Sequence, residues 1–355
     1  YNSNDEMVKK YAYCYKYDSS HRCIYKKLPG CEPTYYIYDA AGNCILSQDG
    51  NSRAKGEWLF SIPDKFGRPC ISGTCTGTFS YASEPLHNSF VYAAYSSSTT
   101  ANLGYTINGV SLQGVQVHEA FFYDNYSFIG KNGCPSSLSY VSPSQGFPAK
   151  DATAGRGLNT GHAVAYTDHS GIKGTLFTAN YYDSRRRVVQ SRSTNAKGGA
   201  DVLLTEYTFT GKPLRTLATH SSSSVSGLQE LTEYAYDHAE RLVSVDHTIG
   251  SGSKRRLQQN TYDSFGRLSS CQRFSKSALK TIYGYNIQSA LKTLSTGSLF
   301  GETLYYQESY GGNTPKYNGG ISAMSWGTNN SVSQHGYRFS YDLKSRLTSA
   351  QYLTN

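Results

Sequence analysis

The chain has 355 residues, with 34 Lys+Arg against 25 Asp+Glu for a net charge of +9, yet charged residues make up only 17% of it while Tyr alone fills 32 positions. Apolar residues at 38%, with 34 Gly and 10 Pro, exclude collagen-like and wholly disordered chains. No stretch approaches about 18 uninterrupted apolar residues, which excludes a transmembrane helix.

The opening Tyr1-Asn2-Ser3-Asn4-Asp5-Glu6 lacks the charged start and apolar core of a signal peptide, and with no initiator Met the chain reads as an excised piece. Tyr11, Tyr13, Tyr15 and Tyr17 alternate as one face of a strand. That strand runs into Tyr17-Asp18-Ser19-Ser20-His21-Arg22-Cys23-Ile24, a phrase that returns as Tyr38-Asp39-Ala40-Ala41-Gly42-Asn43-Cys44-Ile45 and as Pro63-Asp64-Lys65-Phe66-Gly67-Arg68-Pro69. Residues 79–150 are the least repetitive, with a weak copy at Tyr123-Asp124-Asn125. The phrase resumes at Tyr182-Asp183-Ser184-Arg185-Arg186-Arg187, Tyr236-Asp237-His238-Ala239-Glu240-Arg241, Tyr262-Asp263-Ser264-Phe265-Gly266-Arg267-Leu268 and Tyr341-Asp342-Leu343-Lys344-Ser345-Arg346. Weaker copies stand at Tyr207, with Thr210 in the Asp place, and at Tyr285-Asn286. The resulting steps, 21, 25, 27, 27 and 26 residues, are hairpin-sized. Helical patterning is nearly absent; Leu228 to Ala239 could form a short helix, but Thr232, Tyr234 and Tyr236 favour a strand. The division expected is an N-terminal repeat segment 1–78, a less repetitive β segment 79–150 and a main array 151–355.

The motif has a physical reading. Asp accepts backbone N–H groups two residues on, Gly supplies a positive φ, and Arg reaches back to the carboxylate. The tyrosines are expected to stack as a cross-strand ladder. At the Gly position stand His21, Arg186, Glu240 and Ser345, which points either to another turn type or to relaxed constraint.

These residues carry a resemblance. The Y-D-x-x-G-R-L unit, complete at Tyr262, resembles the YD repeat of the Rhs and teneurin families, and phrases such as Tyr13-Cys14-Tyr15-Lys16-Tyr17-Asp18, Gly157-Leu158-Asn159-Thr160-Gly161 and Asn318-Gly319-Gly320-Ile321-Ser322 resemble Bacteroidetes-type Rhs proteins over essentially the whole chain. The resemblance implies an all-β array of antiparallel hairpins, a curved, spiralling sheet forming the open arc of a cocoon-like shell, often around a C-terminal polymorphic toxin. It also implies a self-cleaving core near an Asp-Pro motif, but this chain has no Asp-Pro dipeptide, so core and toxin are expected to lie outside it.

No catalytic, cofactor or metal-ligating set is legible. The eight Cys are read as buried thiols ahead of disulfides, with a zinc site last, since Cys70 and Cys75 find no matching second pair. His118-Glu119 reads as strand residues, and neither a G-x-S-x-G elbow nor a P-loop appears. Arg185-Arg186-Arg187 and Lys254-Arg255-Arg256 read as a repeat turn and a solvated loop rather than a nucleic-acid surface. The expectation is therefore a non-enzymatic shell segment, without cofactor, of a secreted or cell-surface protein. Its partners would be the rest of its own polypeptide, the enclosed toxin and secretion machinery. The alternative is a cell-surface module binding glycans or a partner protein through exposed Tyr, Trp58 and Trp326. An open array leaves sheet edges exposed, so the isolated chain is expected to self-associate.

Overall fold

A computed structural model describes residues 6–169, 171–225, 227–328 and 334–354. Strands dominate, as expected of an all-β repeat; among the described residues helix is confined to Glu6–Tyr11, Gly50–Lys55 and short 3-10 turns. The chain divides into two compact units, Tyr1–Glu206 with Ala218–Leu228, and Tyr207–Leu217 with Gln229–Asn355.

In the first unit, strands Cys14–Tyr17, Cys23–Lys27, Thr34–Tyr38, Cys44–Gln48, Glu57–Pro63 and Pro69–Thr76 pair antiparallel in chain order. Gln113–Tyr123, Asn159–Asp168, Gly171–Tyr182 and Val188–Thr194 continue the order. Alternation decides which face is buried: in Glu57–Pro63, Trp58, Phe60 and Ile62 point inward. The less repetitive chain supplies the cover. It forms a two-stranded sheet, Tyr92–Tyr95 with Tyr105–Asn108, and packs Leu86, Val91, Ala93, Tyr105, Phe128 and Leu138 into the same core as Trp58, Phe60 and Ile71. Each such side chain contributes about 1.5–3 kcal/mol by leaving water.

The second unit repeats the hairpin from Leu228–Tyr236 and Leu242–Ile249, through Arg255–Tyr262, Leu268–Arg273, Lys280–Tyr285 and Leu291–Thr296, to His335–Tyr341 and Leu347–Thr354. Its buried positions are mostly small or polar, such as Ser244, Asn260, Ser270, Ala323 and Ser325. Among its described residues neither face holds an aliphatic and aromatic core like that of the first unit.

Three local expectations change. Tyr11 closes the Glu6–Tyr11 helix and the strand begins only at Cys14, so of the four alternating tyrosines just Tyr15 and Tyr17 lie on it; Glu6 in the first turn, 3.9 Å from Lys10 one turn on, favours the local helix. Gly50–Lys55 is helical because the Asp49 carboxylate caps the Ser52 N–H at 2.7 Å and Gly56 closes it with φ 71°. Both caps stand in the sequence, but six residues are too few to show a period. Arg255 and Arg256 open a strand rather than lying in a loop, which ends at Lys254. Leu228–Tyr236 is a strand, as Thr232 and Tyr234 suggested.

Candidate functional site

The repeat resolves into one hairpin turn. In Asp18–Arg22 the Asp18 N–H donates to the Arg22 carbonyl at 3.0 Å and the His21 N–H to the Asp18 carbonyl at 3.1 Å. Asp18 Oδ1 accepts the N–H groups of Ser20 and Arg22 at 2.9 and 2.8 Å, and Oδ2 accepts Arg22 Nε at 2.6 Å. The same carboxylate bonds recur at Asp64, Asp183, Asp237, Asp263 and Asp342. Asp39 keeps the turn with Asn43 in the Arg place, its Oδ2 taking Asn43 Nδ2 at 3.2 Å. Asn286 keeps the backbone bonds alone.

In the Tyr207 copy it is Thr208, not Thr210, that stands in the Asp place: its Oγ1 accepts the Lys212 N–H at 3.1 Å. The steps from 183 to 208 and from 208 to 237 are therefore 25 and 29 residues.

The fourth turn position is left-handed whatever residue occupies it. Gly42, Gly67 and Gly266 have φ of 85°, 78° and 82°, and His21, Arg186, Glu240 and Ser345 have 62°, 63°, 60° and 59°. The non-glycine residues keep the turn type and bear its strain, about 1–2 kcal/mol each.

The expected ladder of stacked tyrosines takes another form. Successive motif tyrosines lie two strands apart, roughly 9.5 Å, beyond the 4.5–7 Å or so of ring contact. Most instead reach back to the preceding turn, where the hydroxyl donates to the carbonyl of a residue at the end of that turn, the one after the Arg position where the turn has one. Tyr38 reaches Cys23 at 3.1 Å, Tyr236 reaches Pro213 at 2.9 Å, Tyr262 reaches Leu242 at 2.8 Å, Tyr285 reaches Leu268 at 2.9 Å and Tyr341 reaches Ile321 at 2.7 Å. Tyr182 makes the same bond to Asn159. The Arg of the earlier turn lies over the ring: Arg22 over Tyr38 at 4.9 Å, Arg241 over Tyr262 and Arg267 over Tyr285 at 4.6 Å.

Charge follows geometry. Burial alone would raise the Asp18, Asp183 and Asp263 carboxyls, but hydrogen bonds from the backbone and guanidinium of the paired Arg outweigh it and hold them below the usual range. The backbone bonds of Arg241 and Arg346 do the same for Asp237 and Asp342.

The weak copy at Tyr123 is a repeat turn opened by an insertion. Tyr123 faces Asn159 in the sheet, the Asp124 N–H donates to the Leu158 carbonyl at 3.1 Å, and the intervening chain loops out. Tyr123 donates to the Pro69 carbonyl at 2.8 Å, and Arg68 lies 4.3 Å over its ring. Arg68 holds two carboxylates, Asp64 through Nε at 2.6 Å and Asp124 through both terminal nitrogens at 2.8 and 3.3 Å. The guanidinium beside it lowers the Asp124 carboxyl.

Beside this turn lies a cavity of about 250 Å³, with Phe66, Tyr95, Tyr105, Phe122 and Phe128 among its walls and Cys70 within. Burial pushes the Cys70 thiol up to about 11 and raises the Tyr105 phenol. Only one side of this site, Asp64 to Arg68, belongs to a full copy of the repeat; the facing walls, from Ala93 to Phe128, come from the segment that breaks it.

The remaining sequence candidates are placed as follows. All eight Cys are free thiols, buried at 14, 70, 75, 134 and 271 but exposed at 31 and 44. His162 Nε2 meets Glu119 Oε1 at 2.9 Å on a strand face, and His118 lies 3.4 Å from Thr74 Oγ1. Arg187 binds Asp183, Arg256 binds Asp246 at 2.8 and 3.0 Å, and Lys254 meets Glu233 at 2.7 Å, so each cationic cluster has members held by neighbouring carboxylates. Trp58 is only 3% exposed, so contrary to expectation it offers no face to a ligand. Trp326 is half-buried, stacked on Tyr337 at 5.6 Å. Among the described residues no helix is long and apolar enough to cross a membrane.

No family model and no curated protein matches the chain. Among solved structures it is similar to a chain of the Photorhabdus luminescens Tc holotoxin pore carrying a TccC3 mutation, at 13% identity and TM-score 0.26, over 96% of this chain and 17% of that one. It is also similar to the TcdB2–TccC3–TEV crystal structure, at 12% identity and TM-score 0.26, over 99% of this chain and 19% of that one. The chain thus spans less than a fifth of the length of the structures it matches.

Proposed function

We propose that the chain is a non-enzymatic segment of the wall of an Rhs-type shell, which encloses a C-terminal polymorphic toxin and helps deliver it. The observation that carries this reading is the link from turn to turn: the Tyr262 hydroxyl on the Leu242 carbonyl, with Arg241 over the ring, repeated at Tyr38 and Tyr285, and at Tyr341 with Lys316 over the ring. The Asp and Arg of the motif, side chains suited to catalysis or ligand capture, are spent on the turns. Such a device lengthens a sheet hairpin by hairpin without a thick core, which is what a wall requires. Its partners are then the rest of its polypeptide and the enclosed toxin, with secretion machinery as the route to the surface or the medium.

Limited proteolysis of the parent polypeptide tests the reading. The segment following this chain should resist protease while the wall is intact and become sensitive when Tyr262, Tyr285 and Tyr341 are changed together to Ala. A following segment digested as fast with the wall intact overturns it. The half-buried Trp326 on Tyr337 favours the second reading, a glycan-binding surface, which a glycan array with Trp326→Ala as control would reveal.

A further inference from the structure

We propose that Glu302 and Trp326 form a docking site for an arginine side chain of a partner polypeptide. In the second unit, strand Phe300–Tyr305 pairs with Leu291–Thr296 on one side and with Ala323–Gly327 on the other. Glu302 stands opposite both Leu294 and Trp326, so the three side chains share one sheet face, and Leu304 opposite Met324 adds apolar surface beside them. The ring contacts of Trp326 all lie on its far flank, to Tyr337 at 5.6 Å, His335 at 5.7 Å and Tyr352 at 6.3 Å. Toward Glu302 no ring meets it among the described residues.

Charge selects the occupant. Glu302 is partly buried and makes no hydrogen bond or ion pair among the described residues. Lys292, on the adjoining strand, is held by Glu308 at 2.5 Å, and Arg338, opposite Ala323 and so on the other face, donates to the Gly311 and Gly312 carbonyls at 3.2 Å. His335, across Trp326 from Glu302, meets the Tyr352 hydroxyl at 2.5 Å. The surround of Glu302 therefore carries one uncompensated negative charge beside an indole. Elsewhere this chain fills that pair of groups itself. Arg22 lies between Asp18 at 2.6 Å and the Tyr38 ring at 4.9 Å, Arg241 between Asp237 at 2.7 Å and Tyr262 at 4.6 Å, and Arg68 between Asp124 at 2.8 Å and Tyr123 at 4.3 Å. Glu302 and Trp326 repeat the carboxylate and the ring without the arginine. A guanidinium stacks flat on an indole while its fork takes a carboxylate, a combination that an ammonium cannot match. The site stands whether or not the chain belongs to a shell wall.

Nuclear magnetic resonance of the full chain tests the assignment, because its 2 Trp give two indole N–H signals, which Trp326→Phe tells apart. Titration with N-acetylargininamide should move the Trp326 signal saturably, in the millimolar range, and leave that of the buried Trp58 in place. Glu302→Gln keeps the side-chain shape and should weaken binding about tenfold, the loss of a charge-assisted hydrogen bond. On the unaltered chain N-acetyllysinamide should bind several-fold more weakly, and the neutral N-acetylcitrullinamide should leave the Trp326 signal unmoved. Absence of a saturable shift, affinity indifferent to Glu302→Gln, or equal affinity for the lysine or citrulline analogue overturns the proposal. A Trp326 shift with cellobiose and none with N-acetylargininamide would overturn it in favour of a glycan.

Discussion

The Tyr262 hydroxyl donates to the Leu242 carbonyl at 2.8 Å while the Arg241 guanidinium lies 4.6 Å from the centre of the same ring. One side chain thus satisfies a carbonyl of the earlier turn and supports the Arg that locks that turn's Asp at 2.7 Å. The motif couples neighbouring turns, so the Tyr and Arg of adjacent copies act as a unit.

Removing only the hydroxyl isolates that coupling. Tyr262→Phe and Tyr285→Phe should each cost about 1 kcal/mol, the worth of one hydrogen bond with the ring retained. Tyr17 has no hydrogen bond from its hydroxyl among the described residues and is 58% exposed, so Tyr17→Phe should leave the urea midpoint unchanged. An equal loss in all three would mean that the carbonyl bond is not what the hydroxyl contributes.

The left-handed position gives a prediction of opposite sign. His21 and Arg186 hold φ of 62° and 63° with side chains in solvent. His21→Gly and Arg186→Gly should each stabilise by about 0.5–1 kcal/mol, the relief of strain less the entropy glycine gains in the unfolded chain. Gly266→Ala should destabilise, since a Cβ there would meet a backbone at φ 82° and the Arg241 Nη1 at 3.1 Å. Thermal melts of the three variants decide it.

The hairpin unit was legible in the sequence because Asp and Gly state turn chemistry directly, and Arg at a fixed offset has one obvious partner. The role of Tyr was not: alternation places it on a face, whereas its hydroxyl bond depends on a register shift at the turn, which pairing alone reveals, as between Thr261 and Tyr262. Thr208 was misaligned to Thr210 because either hydroxyl could serve, and only the Lys212 N–H distinguishes them. The cavity beside Arg68 was hidden for a different reason. Asp124 is far along the chain from Arg68, and its turn is closed by Leu158 across an insertion that no period can register.

Acid should unlock the turns. Asp18, Asp183, Asp237, Asp263 and Asp342 all have lowered carboxyls, and Lys292 holds Glu308 down at about 2. A group whose folded value lies below its unfolded value, about 3.9 for Asp and 4.3 for Glu, stabilises fully above the latter and loses that contribution as pH falls through the former. The urea midpoint should therefore be level above about pH 5 and fall steadily from about pH 4.5 to 2. Asp263→Asn keeps the backbone bonds, as Asn286 does naturally, and should lower stability at pH 7 while shrinking the acid-induced fall. A midpoint independent of pH across that window would contradict the assignment.

The two tryptophans report on the two units separately. Trp58 is 3% exposed within the aromatic and aliphatic core of the first unit, and Trp326 is half-buried on a strand of the second, whose buried positions are small and polar. Less apolar area buried per residue means less free energy to offset chain entropy, so the second unit should open first. In Trp326→Phe the remaining emission should be blue-shifted and lose that shift only at high urea. In Trp58→Tyr, the more conservative of the core changes, emission from Trp326 should shift at lower urea than Trp58 does in the first variant. Since the core substitution could itself weaken the first unit, hydrogen exchange of the unaltered chain supplies the independent measure. Amides of Glu57–Pro63 and Pro69–Thr76 should exchange more slowly than those of Arg255–Tyr262 and Leu268–Arg273, the two pairs having the same hairpin geometry and differing in what covers them. Equal protection in the two hairpins would show that the turn-to-turn links, rather than the core, set local stability.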